Sequence, residues 1–219
     1  MKSEKDRKAV VLLSGGMDSA VCMGFAREEG YSLYPLTINY GQRNHFEIDA
    51  AKKISRYFDA EEHMVMDVNL RRIGGSALTG DIDVPHKDVT DGVPVTYVPG
   101  RNLIFLSIGV SWAEVLGADA IYIGANILDY SGYPDCREEF LNSFEKSACL
   151  GTQKSTSIEI KAPLLKMSKA EIVNQGYRFD IDFSMTVSCY DPDMSGKPCG
   201  ECESCRIRAR GLAESKRVS

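Results

Sequence analysis

Val10-Val11-Leu12-Leu13-Ser14-Gly15-Gly16-Met17-Asp18-Ser19 is the stretch whose reading decides the fold. An apolar run enters two adjacent glycines and a helical stretch follows, so the segment reads as strand, tight turn and helix. Two glycines let backbone N–H groups approach an anion with no Cβ in the way, and the following helix adds its positive N-terminal end. The spacing lacks the lysine of a G-x-x-x-x-G-K-[ST] loop. The cradle would therefore rest on backbone N–H groups and the Ser14 and Ser19 hydroxyls. A plain Gly-Gly turn capped by Asp or Ser at a helix start is the alternative reading.

Outward from this stretch, short β-branched runs alternate with helical patterns. Strands are predicted over Ala9–Leu13, Leu33–Asn39, His63–Val68, Ala120–Gly124 and Ser157–Lys161. Helices are predicted over Asp18–Glu29, Phe46–Phe58, Asn102–Leu116, Arg137–Cys149 and Lys169–Gln175. Such alternation implies an α/β fold: βαβ units forming a parallel sheet with helices on both faces, and ligands beyond the carboxyl ends of the strands. Ser168 and Glu171 stand at capping-box spacing before the last of these helices, and Gly176 reads as its stop. Asn69 to Pro99 lacks a period and is rich in Gly, Asp, Pro and Thr, which suggests a functional lid or a mobile segment. Residues 1–187 read as the ligand-binding α/β body and 188–219 as an appended metal-binding subdomain, together one compact domain.

Composition excludes several classes. A chain of 219 residues, 43% hydrophobic and 26% charged, can bury one sizeable core and matches an ordinary globular domain. No apolar run approaches the roughly 20 residues that span a bilayer, and the charged N-terminus lacks a signal-peptide apolar region, so a cytoplasmic protein is expected. The net charge of −5 argues against a broad nucleic-acid footprint.

Four of the seven cysteines form C-x9-C-x2-C-x2-C at Cys189, Cys199, Cys202 and Cys205. Four thiolates provide the all-sulfur shell of a structural zinc site, and Gly200 permits the turn that an x2 spacing needs. An iron–sulfur cluster is the rival, since it also takes four cysteines. A filled zinc shell has no open position for substrate, so its expected role is folding stability. Cys22, Cys136 and Cys149 are scattered and read as buried free thiols.

The hexapeptide Ser14–Ser19 resembles the S-G-G-x-D-S signature of the ATP pyrophosphatase (PP-loop) superfamily, whose members split ATP between the α- and β-phosphates to adenylate a substrate. Four further stretches accompany it: Asn39-Tyr40-Gly41-Gln42-Arg43, Val98-Pro99-Gly100-Arg101-Asn102, Asp129-Tyr130-Ser131-Gly132-Tyr133-Pro134-Asp135-Cys136-Arg137 and Ser188-Cys189-Tyr190. With the cysteine tail they resemble the 7-cyano-7-deazaguanine synthase family of queuosine biosynthesis along almost the whole chain. The resemblance implies a Rossmann-like sheet of the adenine nucleotide alpha hydrolase kind. It implies a ligase that turns 7-carboxy-7-deazaguanine and ammonia into the 7-nitrile with ATP and Mg²⁺, and one bound zinc held by the four cysteines. The ATP site would span Leu13, Ser14, Gly15, Gly16, Met17, Asp18, Ser19, Ala20, Val21, Cys22 and Met23. Small-molecule partners, no nucleic acid, no membrane and a homodimer are expected.

Individual residues divide less cleanly. Ser14, Asp18 and Ser19 are the expected catalytic residues, the serines bonding phosphate oxygens and Asp18 holding Mg²⁺ or ordering the loop, with helix capping as the alternative. Arg101 follows a Pro-Gly turn and could clamp a phosphate or the substrate carboxylate, or form a surface salt bridge. Asp129 and Asp135 are candidates for the guanidine-like edge of the deazapurine, or else turn caps. Arg137 is a further substrate candidate, and Tyr130 and Tyr133 could stack on the heterocycle or simply pack. His45, His63 and His86 share no metal-ligand spacing. A tRNA-modifying PP-loop enzyme and a non-catalytic nucleotide-binding regulator are the competing classes, the former disfavoured by length and charge.

Overall fold

Chain alternation produces the expected layers. The computed structural model describes residues 7–85, 92–128, 133–153 and 157–215. The strands are β1 (Lys8–Leu12), β2 (Ser32–Asn39), β3 (Met64–Asp67), β4 (Ala120–Tyr122) and β5 (Glu159–Lys161). The helices are α1 (Met17–Glu28), α2 (Phe46–Tyr57), α3 (Arg101–Leu116), α4 (Glu138–Gly151), α5 (Lys169–Arg178) and α6 (Glu203–Glu214). Every strand and helix predicted from the sequence is present among them.

The five strands form one sheet in the order β3-β2-β1-β4-β5, and every pairing is parallel. Val10 lies opposite Tyr34 on one side and Ile121 on the other, so β1 is the central strand. Its side chains alternate between two cores as the pleat requires. Val10 and Leu12 join Leu106, Val110 and Ala113 of α3, whereas Ala9, Val11 and Leu13 join Ala20, Val21 and Met23 of α1 and Ile172 of α5. A sheet covered on both faces explains why the strands read as continuous apolar runs. The strand order reverses direction between β1 and β4, which is where an open α/β sheet leaves a crevice.

Three local expectations change. Cys22 and Cys136 are buried free thiols as expected, but Cys149, near the end of α4, is exposed. The segment from Asn69 to Pro99 is not a free lid in its described part: it contains a short 3₁₀ turn, Leu70–Arg72, and buries Ala77, Leu78, Val84 and Val98 in the α3-side core. Arg43 straps it further, donating to the carbonyl oxygens of Gly80 and Ile82 at 3.3 and 2.9 Å. Residues 86–91 lie outside the described residues. The capping box at Ser168 and Glu171 is present, with Glu171 N donating to Ser168 Oγ and Ser168 N to Glu171 Oε2. Gly176, however, is inside α5 rather than after it, and the helix ends at Arg178. It is glycine for packing: a Cβ there would stand 2.1 Å from Cζ of Phe183.

Gly176→Ala therefore has a predictable sign. Alanine in a helix interior ordinarily gains about 1 kcal/mol over glycine, but forcing a methyl into a filled core costs about 1–3 kcal/mol. The buried Phe183 ring, already held edge-on to Tyr177 at 5.6 Å, has little room to yield. Net destabilisation should appear as a lower urea midpoint at unchanged slope; a raised midpoint would contradict this packing role.

Candidate active site

The carboxyl ends of β1, β2 and β4 open into a pocket of about 210 Å³, whose wall includes Leu12, Leu13, Leu36, Ile38 and Ile123. The Ser14–Ser19 loop forms one side. Gly15 adopts φ +87, and a Cβ on it would meet the backbone oxygen of Glu47 at 2.1 Å, so no other residue fits where the loop passes α2. Gly16, at φ −81, is the N-cap of α1, and no side chain caps that helix. Its first turn is left for an external anion.

The two serines lock the loop. Ser14 N donates to Ser19 Oγ at 3.2 Å, Ser19 Oγ donates to the Gly16 carbonyl at 2.9 Å, and Gly16 N donates to Ser14 Oγ at 3.3 Å. Ser14 is exposed and Ser19 buried, and both line the pocket. Asp18 accepts from Lys169 Nζ at 2.7 and 2.9 Å. Leu13, Gly16 and Met17 also line the pocket, but Ala20, Val21, Cys22 and Met23 are 0% exposed in the core and form none of its wall. Those four positions of the expected ATP span serve packing.

Opposite the loop, α3 begins after Gly100 at φ +64 and presents Arg101 to the pocket. Its guanidinium lies 5.9 Å from the centre of the Tyr40 ring. Burial lowers the Arg101 pKa, but Tyr40, Tyr133, Asp135 and Tyr190 outweigh it and hold the pKa above its ordinary value. Tyr133 also lines the pocket, its hydroxyl 3.0 Å from Thr96 Oγ1 and its ring edge-on to Tyr97. Asp135 is placed differently from its expected role. It is buried beneath the start of α3, accepts from Asn102 N at 2.9 Å, and forms no part of the pocket wall. Arg137 is exposed at the N-cap of α4, also outside the wall. Asp129 and Tyr130 lie outside the described residues, as does His86. His45 is the exposed N-cap of α2, and His63 Nε2 lies 2.8 Å from Thr37 Oγ1, with burial and then Lys52 lowering its pKa.

Three pocket residues escaped the sequence reading. Lys169, at the start of α5, Arg208, on α6, and Glu47, in the first turn of α2, all line the pocket. Arg208 donates to Phe183 O and Thr186 Oγ1 at 2.6 Å each and to Ser188 Oγ at 3.4 Å. The spacing of Arg208, three residues beyond Cys205, was the one available signal. Among the described residues the wall carries four cations, Arg43, Arg101, Lys169 and Arg208, against two carboxylates, Asp18 and Glu47. A positive pocket in a chain of net charge −5 suits a polyphosphate or carboxylate ligand.

Beside it, the Sγ atoms of Cys189, Cys199, Cys202 and Cys205 all lie within 4.8 Å of one another. A tetrahedral zinc–thiolate shell with bonds of about 2.3 Å needs sulfurs about 3.8 Å apart, so the donor set fits such an ion. Cys199 N donates to Cys189 Sγ at 3.3 Å and Cys202 N to Cys199 Sγ at 3.4 Å, contacts that stabilise thiolates. Gly200 turns at φ +79, as its position predicted. The C-terminal helix starts inside the ligand set rather than after it, with Cys202 as its N-cap.

The model of the family described as queuosine biosynthesis protein QueC matches residues 8–216. The chain belongs to the QueC family. Curated relatives named 7-cyano-7-deazaguanine synthase include one from Pelobacter propionicus, 51% identical over 214 residues, covering 96% of this chain and 95% of the relative. Another, from Geobacter sulfurreducens, is 51% identical over 212 residues, covering 95% and 90%. Among solved structures, a 4-thiouridine synthetase–RNA complex with bound ATP aligns over 94% of this chain and half of its own, at TM-score 0.55 and 22% identity. The NMN synthetase of Francisella tularensis aligns over 97% and 79%, at TM-score 0.54 and 16% identity. These two share the fold of the QueC chain, a parallel sheet flanked by helices.

Loss of one member of the Asp18–Lys169 pair should register in stability as well as in rate. Their side chains are 18% and 7% exposed, and removing one partner of a buried pair costs on the order of 3 kcal/mol. Asp18→Asn should therefore lower the denaturation midpoint, and Asp18→Asn with Lys169→Met should recover part of it in a double-mutant cycle. Strictly additive losses would dissolve the coupling.

Proposed function

We propose that this QueC-family chain is a 7-cyano-7-deazaguanine synthase, a C–N bond-forming ligase that converts 7-carboxy-7-deazaguanine and ammonia to the nitrile with ATP. The observation that carries the reading is the 51% identity over 96% of the chain to an enzyme of that name, joined to a cationic pocket at the phosphate loop.

A carboxylate does not accept ammonia directly because hydroxide is a poor leaving group. The acid must first become an acyl adenylate, with pyrophosphate departing into the loop. There the uncapped first turn of α1, Ser14, Ser19 and Lys169 would meet the developing charge, and Arg208 would add a cation from α6. Arg101 would hold the substrate carboxylate, and Tyr133 and Tyr40 would flank the heterocycle. Ammonia displaces AMP to give the amide. A second adenylation at the amide oxygen and loss of AMP then give the nitrile in the same pocket. Mg²⁺, when bound with ATP, would supply neutralising charge to the phosphates, and Asp18 is the residue that would hold it.

Cys189, Cys199, Cys202 and Cys205 would hold one zinc whose role is structural. The segment they fasten is 188–219, the proposed subdomain, although Cys189, Cys202 and Cys205 are buried in the same core as β1. The reading further makes the protein a cytoplasmic homodimer acting on small molecules, without nucleic-acid or membrane partners. In its support, no helix among the described residues is long and apolar enough to cross a membrane.

Two measurements test the reading. Incubation with the acid, ammonium and Mg-ATP should yield the nitrile by mass spectrometry, with AMP and pyrophosphate as the nucleotide products. ADP and phosphate as main products would sink the adenylation chemistry. Elemental analysis and X-ray absorption should find one zinc per chain in an all-sulfur shell, and chelation or Cys202→Ser should lower the melting temperature. Iron with labile sulfide would replace zinc by a cluster.

A further inference from the structure

We propose that Glu47 is the general base of the reaction, accepting the protons that the attacking nitrogen must shed. The proposal rests on the synthase reading above and adds a catalytic residue to it. Glu47 sits in the first turn of α2, which abuts the phosphate loop where Gly15 approaches the Glu47 carbonyl oxygen. Its residue lines the same pocket as Ser14, Arg101 and Tyr190. Asp49, in the same helical turn, shows what a carboxylate placed only for the helix does: it is exposed and pairs with Lys52 at 3.4 Å. The half-buried Glu47 faces the pocket instead, and its carboxylate makes no hydrogen bond to any described residue.

The surrounding charges leave it poised. Arg101 on α3 is the cation that faces it, and Tyr40, beyond the end of β2, is the neighbouring phenol. Asp18 and Lys169 are committed to each other, Arg43 to Gly80, Ile82 and Asp191, and Arg208 to Phe183, Thr186 and Ser188. Burial raises the Glu47 carboxyl and Arg101 lowers it, with a balance of about 8. The other titratable groups of the pocket suit the task less well. Burial pushes the Tyr40 phenol up to about 12 and the Cys136 thiol up to about 11, so both are protonated at neutral pH. No histidine is among the described lining residues. A base with its pKa near the working pH is what proton abstraction requires.

The reaction creates a need for it at two points. Attack of ammonia on the acyl adenylate forms a C–N bond and leaves a positively charged nitrogen. One proton passes from that nitrogen to the Glu47 carboxylate, the C–O bond to AMP breaks, and the amide results. After the second adenylation the imidate nitrogen carries two protons. Both are lost, one at a time, as the C–O bond to AMP breaks and the C≡N bond is completed. Glu47 returns each proton to water at the pocket mouth, and no oxidant or reductant is needed.

The amide-to-nitrile half-reaction isolates this role, because supplying 7-carboxamido-7-deazaguanine with Mg-ATP removes the titration of ammonia from the pH profile. In the wild type, kcat/KM should rise with pH to a plateau through an apparent pKa near 8. Glu47→Gln should lower kcat by about 10²–10⁴-fold and abolish the rising limb, with ATP affinity within about threefold and partial rescue by Glu47→Asp. A Glu47→Gln enzyme that keeps both the limb and its rate, or that loses rate only through weaker ATP or amide binding, would overturn the proposal. A wild-type protein that makes no nitrile from acid or amide would instead overturn the synthase reading on which it rests.

Discussion

The ion pair between Asp18 and Lys169 is the contact on which the site depends. Lys169 opens α5 while Asp18 belongs to the first turn of α1, so the pair ties together elements separated by 151 residues. The lysine stem is itself confined, because a Cβ on Gly211 of α6 would stand 2.2 Å from its Cγ. α6 carries Cys202 at its N-cap, Cys205 in its first turns and Arg208 beyond. One buried side chain thus fixes the distance between the phosphate loop, α5 and the helix that ends the cysteine cluster. The loop lacks a lysine of its own in sequence and acquires one through the fold.

That arrangement explains how a chain with net charge −5 presents an anion site. Cations reach the pocket from four separate places: Arg43 after β2, Arg101 at the start of α3, Lys169 at the start of α5 and Arg208 on α6. Each is held by carbonyl oxygens, aromatic rings or a carboxylate before any ligand arrives. Preorganised charge of this kind needs no rearrangement when a phosphate departs, which is where electrostatic catalysis gains most. The cysteine cluster contributes indirectly. A tetrahedral ion held by all four thiolates would have its shell filled by sulfur, so its effect on the chemistry would pass through the helix that carries Arg208.

What the sequence disclosed was local. The strand, glycine turn and helix around Ser14–Ser19, the capping box at Ser168, and the cysteine spacing each depend on residues a few positions apart, and each appears in the structure. Lys169, Arg208 and Glu47 were silent because a residue's facing is set by the register of distant elements. Lys169 stands in the capped first turn of a helix and reads there as a solvated charge until α1 is packed against α5. Gly176 misled for the same reason: a glycine near a helix end resembles a stop, whereas its purpose is the Phe183 ring seven residues on. Asp135 and Arg137 were drawn toward the substrate by the motif they share with Tyr133 and Cys136. A 3₁₀ turn over Pro134–Cys136 instead separates the four, sending Tyr133 and Cys136 inward, Asp135 beneath α3 and Arg137 to solvent.

Two carboxylates in one pocket end up with opposite characters, and the cause is partners rather than residue type. Asp18 is held by an ammonium at 2.7 and 2.9 Å, which makes it a fixed element of the loop. Glu47 lies deep enough for desolvation to dominate, with Arg101 as the moderating charge and no hydrogen bond to hold the anion. Sites that must both stabilise departing negative charge and remove protons need such a division, since one group cannot be permanently paired and also free to titrate. The fold achieves it by drawing the two from the starts of two successive crossover helices, beyond the carboxyl ends of adjacent strands. Asp18 begins α1 just after the central strand, and Glu47 begins α2 after the next strand outward, so a single glycine contact at Gly15 sets their separation.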